Sequence, residues 1–240
     1  MLSKFSSSRN LSENIQLGSL TAFTAGMVNV ASFMIFFSFS SNVTGYYALL
    51  AAEFVKENWY QVAVVFAWIF LFFFGGFCSN LIVINFNSKN TYLAHATPLL
   101  IEILCLVAVG FYGEYFYTET LNETELLLAL NIFAMGLQNG LTVSISNFTV
   151  KTTHLTGATT DVGVLLSLFT KKKFRGNTEL RNRAKLLSFV IFAYCVGAIL
   201  SAYLYIYFEF KTFYFISFFL LLVIVYDFNK LKIKRAISKK

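Results

Sequence analysis

Charged residues and proline are scarce in this sequence. Only 13% of its 240 residues are charged and only one is proline (Pro98), whereas about a quarter of the residues of a typical soluble domain are charged. In their place stand 29 phenylalanines and a 57% share of hydrophobic residues, with a mean hydropathy of +0.66. This composition excludes an ordinary soluble domain. Long apolar runs favour membrane helices over a β-barrel, which would show alternating segments of about ten residues.

Cysteine and histidine are also few, and their spacing excludes several kinds of site. The three cysteines (Cys78, Cys105 and Cys195) lie inside apolar runs without a Cys-x-x-Cys pair, and His95 and His154 are far apart. A disulfide framework or a metal site therefore has no support. The sequence also has no phosphate-binding glycine loop, nucleophile elbow or zinc-protease motif. We expect a protein that is not an enzyme and that uses no cofactor and no metal.

Positive charge is concentrated in two places, the segment 171–185 and the tail 229–240, within a net charge of +7. Such clusters occur in nucleic-acid-binding proteins, but beside apolar spans they mark cytoplasmic loops. We therefore expect a lipid bilayer rather than nucleic acid as the partner, with both termini in the cytoplasm. The sequence leaves the oligomeric state open, a homo-oligomer included.

Six apolar stretches are long enough to cross a bilayer, which takes about 20 residues; they are 17–39, 60–85, 94–117, 125–148, 184–208 and 212–228. Two others, 43–55 and 156–169, have the length of a half-helix. If these two re-enter, the basic segments lie on one side of the membrane. If all eight stretches span, Lys89 and Lys151 move to the other side, against the positive-inside rule. We predict an all-α bundle of six spans plus two short re-entrant helices.

The two halves of the chain carry the same pattern, Phe-x-x-Gly-x-x-Asn followed by Thr-Gly; the residues are Phe23, Gly26, Asn29, Thr44 and Gly45, then Phe133, Gly136, Asn139, Thr156 and Gly157. This recurrence predicts two tandem repeats, 17–120 and 121–228, within a single membrane domain 1–240 that ends in the basic tail 229–240. Three spans per half would give the repeats inverted topology, as in many secondary transporters. Four spans per half would make them parallel.

The repeated polar residues are the first candidates for a binding site. Each Thr-Gly pair lies near the start of a short helix, where Asn42 with Thr44, and Thr156 in the second half, are placed to cap unpaired N–H groups. Asn29 and Asn139 recur within apolar spans, and Gln138 adds another amide. These residues have two interpretations. They are caps and interhelical hydrogen bonds that hold the bundle together, or they face a shared polar cavity that binds a solute.

Two carboxylates lie within apolar segments. Glu102 is near the middle of the stretch 94–117, where a charge is costly, so the group must be protonated, paired or hydrated. It is a candidate proton carrier or a protonated structural donor. Asp161 follows Thr160 one turn into the second short helix. There it complements the helix dipole or binds a cation or proton.

At these residues the chain resembles the YoaK-like family of bacterial inner-membrane proteins, a domain family of unknown function. The stretches that carry the resemblance are Ala-Gly-Met-Val-Asn (25–29), Asn-Val-Thr-Gly (42–45), Gly-Leu-Gln-Asn (136–139) and Leu-Thr-Gly-x-x-Thr-Asp (155–161). Members of this family usually carry an acid at the position of Asn29. The resemblance covers about 17–228 and implies a multi-pass protein of the bacterial inner membrane.

The residues favour a transporter or permease for an unidentified small solute. Its site would lie between the repeats and would include Asn29, Thr44, Gly45, Gln138, Asn139, Thr156, Gly157, Thr160 and Asp161, with Glu102 as the proton-coupling candidate. The alternative is a membrane scaffold or partner-binding subunit without transport activity, which would depend on the basic segment 171–185.

Overall fold

A computed structural model describes residue 2 and residues 9–237, with side chains through residue 229; most of the predicted basic tail 229–240 therefore lies outside the described side chains. The regular structure of the described residues is helical. Its elements are α1 (Leu11–Phe36), α2 (Val43–Val55), α3 (Trp59–Phe86), α4 (Thr91–Tyr115), α5 (Leu121–Ile145), α6 (Leu155–Phe169), α7 (Lys172–Arg175), α8 (Thr178–Phe208), a 3-10 turn (Glu209–Lys211) and α9 (Thr212–Ile237). The predicted all-α membrane-type fold is confirmed at this level.

Among the described residues, five continuous helical segments are long and apolar enough to cross a membrane. The last of them, Thr178–Asn229, is 52 residues long, and the 3-10 turn divides it into α8 and α9. Backbone reversal at this turn is helped by Glu209, which has a positive φ of 43°. The remaining apolar helices, α2 and α6, have 13 and 15 residues and are shorter than a full span.

Polar caps decide where the long helices begin. α1 and α8 begin at residues 11 and 178, before the predicted starts at 17 and 184. Asn10 and Glu13 form a capping box at α1, and the side chain of Asn177 accepts a hydrogen bond from the N–H of Leu180 at α8. These caps satisfy first-turn N–H groups. They extend both helices by more than a turn into polar sequence that a search for apolar runs leaves out.

Glycine contacts join the long helices in two equivalent pairs. α1 packs against α8, where a Cβ on Gly26 would meet the carbonyl oxygen of Tyr194 and a Cβ on Gly197 would meet that of Phe23. α3 packs against α5 in the same way, and a Cβ on Gly75 would lie 2.5 Å from the carbonyl oxygen of Phe133. Only a hydrogen at these positions lets the two backbones approach so closely.

Side-chain contacts fix the directions of the helices. α3 and α5 run the same way, because Tyr60 contacts Glu125 near their starts and Asn80 contacts Ser144 towards their ends. α1 and α5 run in opposite directions, since Asn131 of α5 donates to Ser32 of α1 at 3.0 Å, whereas seven residues further along α5 Gln138 donates to Thr24. The first helices of the two halves are therefore antiparallel.

These directions give the bundle two chemically different ends. The acidic end, as we call it, holds the end of α2, the start of α3 and the α4–α5 connection; its carboxylates include Glu53, Glu114, Glu119, Glu123 and Glu125. The basic end holds the starts of α1 and α8 together with Lys89, Lys151 and the segment 171–177. Residues from α1, the α5–α6 connection and α8 line one cavity at the basic end, which places these three segments side by side.

Candidate functional site

The side chain of Asn29 ties α1 to the segment that leads into α2. Its Oδ1 accepts hydrogen bonds from the Ser41 backbone N–H at 3.0 Å and from the Ser40 hydroxyl at 3.2 Å. Its Nδ2 donates to the Ser41 hydroxyl at 2.8 Å and to the Ala25 carbonyl oxygen at 3.0 Å. Asn29 is buried. The amide thus fixes the start of α2 about two turns before the end of α1.

Asn139 makes the equivalent connection in the second half. Its Oδ1 accepts hydrogen bonds from the hydroxyls of Thr153 at 2.9 Å and Thr152 at 3.3 Å. Its Nδ2 donates to the Met135 carbonyl oxygen at 2.9 Å. Thr152 and Thr153 occupy the positions of Ser40 and Ser41 displaced by 112 residues, the same displacement as between the two Thr-Gly pairs. The predicted amide twins are therefore structural twins as well.

The two short helices begin differently from each other. Asn42 caps α2 as predicted, accepting a hydrogen bond from the Gly45 N–H at 3.2 Å, but Thr44, predicted to share this role, lies inside the first turn of α2. The prediction that Thr156 caps α6 is wrong. α6 begins at Leu155 after His154, which makes no side-chain capping bond, and the Ala158 N–H already bonds to the His154 carbonyl oxygen. Thr156 is thus inside the first turn, where its own carbonyl oxygen accepts from the Thr160 hydroxyl at 3.0 Å.

A cavity of about 540 Å³ lies where α2 and α6 begin. Both halves contribute equivalent positions to its wall; these are Ser41, Asn42, Val43, Thr44 and Phe72 from the first half, and Thr153, His154, Leu155, Thr156 and Tyr194 from the second. Asn29, Phe39, Tyr47 and Gly157 complete the lining. We call this space the central cavity.

The central cavity is polar without carboxylates or amines among its described lining residues. The titratable side chains in its wall are those of His154, Tyr47 and Tyr194. The first turns of α2 and α6 also contribute the partial positive charge of their unpaired N–H groups. The cavity is suited to a small polar molecule held by hydroxyl and amide groups.

Four of the nine predicted binding residues line this cavity, namely Asn29, Thr44, Thr156 and Gly157. Asn139 is adjacent, because Thr153, to which it is bonded, lies in the wall. Gln138 points elsewhere and donates to Thr24 of α1. Neighbouring residues of a helix differ in direction by about 100°, so one face cannot present both amides.

The remaining predicted residues belong to other contacts. Gly45 packs against its own cap, and a Cβ there would lie 2.6 Å from Nδ2 of Asn42. Thr160 is exposed on the outer side of α6. Asp161 forms an ion pair with Arg183 of α8, with its Oδ2 2.8 Å from the guanidinium nitrogen. The structure therefore does not place these three residues at the central cavity.

Glu102 is fully buried in α4. Among the residues that the structure describes, neither of its carboxyl oxygens has a hydrogen-bond partner. A carboxylate in such a place would carry a large desolvation cost. Glu102 does not line the central cavity.

Several cavity residues were not predicted, and the repeat could have revealed them. Ser41 and Thr153 are related by the 112-residue displacement of the Thr-Gly pairs, and Phe72 and Tyr194 by the 122-residue displacement of Gly75 and Gly197. All four line the cavity. A repeat alignment that also pairs chemically similar residues, such as two hydroxyls or two aromatic rings, would have found them.

Comparisons with known proteins bear on the family of this chain. A family model described as "Protein of unknown function (DUF1275)" matches residues 17–226, which covers the two halves of the bundle and both short helices. No match was found among curated proteins or among solved structures. The YoaK-like resemblance is consistent with the family match. The chain belongs to the DUF1275 family of uncharacterised proteins.

Proposed function

We propose that this protein is a membrane transporter for a small polar solute, and that the central cavity is its binding site. One observation carries the proposal, namely that the cavity wall is assembled from equivalent positions of two halves whose first helices run in opposite directions. In secondary transporters, substrate sites are commonly found between inverted repeats, beside the ends of broken or short helices.

The proposed topology is six spans, α1, α3, α4, α5, α8 and α9, with α2 and α6 as re-entrant helices. One contact and one chain connection support it. Asn29, seven residues before the end of α1, bonds to Ser41 just before α2, so α2 starts below the acidic end of the bundle. α2 then leads within three residues into α3, whose start lies at the acidic end. The chain thus leaves α1 at that end, turns back and returns to the same end. α6 repeats this arrangement at the basic end.

Charge placement supports an orientation with the basic end, and hence both termini, in the cytoplasm. The basic end contains Lys89, Lys151 and the basic segment 171–185, as the positive-inside rule requires of a cytoplasmic face. The two lysines at the opposite end are each paired with a carboxylate, Lys56 with Glu53 at 2.7 Å and Lys211 with Glu114 at 3.2 Å. We propose the bacterial inner membrane as the location.

Water access to the central cavity tests this proposal without knowledge of the solute. The native cysteines are replaced, and Thr44→Cys or Thr156→Cys is introduced singly into protein in membrane vesicles. A membrane-impermeant thiol reagent should label both positions from at least one side. Phe73→Cys is the control, because Phe73 is 64% exposed on the outer face of α3 and should be lipid-facing and unreactive. A cavity that no reagent reaches from either side would contradict a transport site.

Coupling to protons is the second part of the proposal, with Glu102 as the carrier. It rests on the burial of this carboxyl group without a partner. In proteoliposomes, a pH gradient should drive flux of the solute identified by binding screens through the wild-type protein. Glu102→Gln should fold normally and lose the pH dependence of flux, because glutamine cannot release a proton. Unchanged dependence in this variant would rule out Glu102 as the carrier.

A further inference from the structure

A second cavity, of about 550 Å³, lies at the basic end between α1, α6 and α8. Its wall includes Asn14, Lys151, Asp161 and Arg183. Charged side chains of both signs need water or partners, and the Asp161–Arg183 pair remains open to solvent, with the two side chains 42% and 62% exposed. This cavity is therefore polar and hydrated from the basic side. We call it the basic-end cavity.

The basic-end cavity and the central cavity share two wall residues, His154 and Gly157. These residues belong to the cap and first turn of α6, so one helical turn separates the two spaces. A turn advances only about 5.4 Å along a helix. This first turn of α6 has no side-chain cap, because His154 makes no side-chain bond to it. At the equivalent place in α2, Asn42 makes such a bond.

We propose that the basic-end cavity is the aqueous entrance to the central cavity, and that the first turn of α6 is the barrier that a polar solute passes. The inference rests on the proposed transport function and adds a route to it. The Asp161–Arg183 ion pair joins α6 to α8 at the rim of this entrance and holds the barrier in its closed position. The equivalent positions in the first half are Leu49 and Gln61, which cannot form an ion pair.

Gly157 offers a direct test, because it lies in the wall of both cavities and has room around it. A Cβ at Gly157 would meet nothing within 4 Å, and the same is true of Gly163 in the same helix. Gly163 lines neither cavity. A tryptophan at Gly157 would therefore obstruct the route, while a tryptophan at Gly163 is a matched control for an added large side chain on α6.

The experiment uses cysteine-free protein with Thr44→Cys, which lies across the central cavity on α2, in vesicles that expose the basic end to an impermeant thiol reagent. Gly157→Trp should slow labelling of this cysteine by about tenfold or more, because a closely packed indole leaves no space for the reagent. Gly163→Trp should leave the labelling rate unchanged. Gly157→Leu repeats the test with a smaller side chain, and size-exclusion profiles confirm that each variant is folded.

Undiminished labelling in Gly157→Trp, or labelling from the acidic end alone, would overturn the proposed entrance. In either case the central cavity would still be open to water, so the transport proposal would survive. Absence of labelling from both ends in the parent Thr44→Cys protein would remove the entrance and the transport site together. The two failures are therefore distinguishable.

Discussion

The two halves of the bundle share their framework and differ at the short helices. Gly26 packs against the backbone carbonyl of Tyr194, and Gly136 packs against that of Phe72. A Cβ at either glycine would collide with the carbonyl oxygen. The amides of Asn29 and Asn139 each hold the segment that leads into a short helix. The residues that set backbone distances are thus duplicated, which indicates that both halves need the same internal geometry.

The differences lie around α2 and α6. Asn42 caps α2, and His154 leaves α6 without a side-chain cap. Glu53 is buried near the end of α2, where the equivalent residue of α6 is the buried Leu165. Glu53 accepts hydrogen bonds from Lys56 and Asn58, and the bond from Lys56 is the main reason that its pKa is lowered. α2 therefore has side-chain hydrogen bonds at both ends, whereas α6 has no side-chain cap and is joined to α8 by an exposed ion pair. Because the first turn of α6 is the proposed barrier, we expect α6 to be the short helix that moves.

Substitutions at the duplicated glycine contacts should cause the largest loss of stability. Gly26→Leu and Gly136→Leu should each abolish folding or lower the free energy of unfolding by about 3 kcal/mol or more. A larger side chain in a filled core costs about 1–3 kcal/mol even where neighbouring side chains can move aside. At these two glycines the neighbouring atoms are backbone, which cannot move aside. Fluorescence-detected size exclusion and thermal unfolding in detergent measure this loss.

Gly163→Leu is the control, since a Cβ there meets nothing within 4 Å. If Gly136→Leu were as stable as the control, the paired glycine contacts would not hold the bundle together, and the framework would be less symmetrical than the structure indicates.

Much of this framework could be predicted from sequence because it depends on local residue type. Apolar length predicted the long helices, and recurrence of the Gly, Asn and Thr-Gly positions predicted the twins. The wall of the central cavity could not be predicted in full, because it depends on the rotation of helices that are distant in sequence. Gln138 was grouped with Asn139 by adjacency, yet the helix turns it towards Thr24 of α1.

The two duplicated amides, Asn29 and Asn139, should contribute different amounts to the free energy of unfolding. Asn29→Ala removes the acceptor of a backbone N–H, that of Ser41, which cannot rotate to another partner. Asn139→Ala removes the acceptor of two threonine hydroxyls, which can. We expect losses of about 2 and about 1 kcal/mol, since an unsatisfied buried donor costs 1–3 kcal/mol. Thermal unfolding of both variants in the same detergent measures the difference. Equal losses would mean that backbone pairing adds nothing to the first half.

The caps give a smaller contrast. Asn42→Ala should cost about 1 kcal/mol, the usual value of a side-chain N-cap, whereas His154→Ala should cost little because His154 caps nothing. Hydrogen exchange of the first-turn amides separates the two helices, with faster exchange in α2 after Asn42→Ala and no change in α6 after His154→Ala. Faster exchange in α6 would show that His154 stabilises its helix in another way.

The smallest expected effect on stability is at the ion pair of the second half. Asp161→Asn removes the charge opposite Arg183, but both side chains are well exposed, and such pairs contribute about 0–1 kcal/mol. The unfolding temperature should therefore hardly change, while thiol labelling of Thr44→Cys from the basic end should become faster, because the pair joins α6 to α8 beside the barrier. Arg181→Gln is the control and should change neither, because Arg181 is an exposed cation of α8 that does not line the basic-end cavity. A large loss of stability with unchanged labelling would make Asp161–Arg183 a structural bond and would remove the main physical difference between α6 and α2.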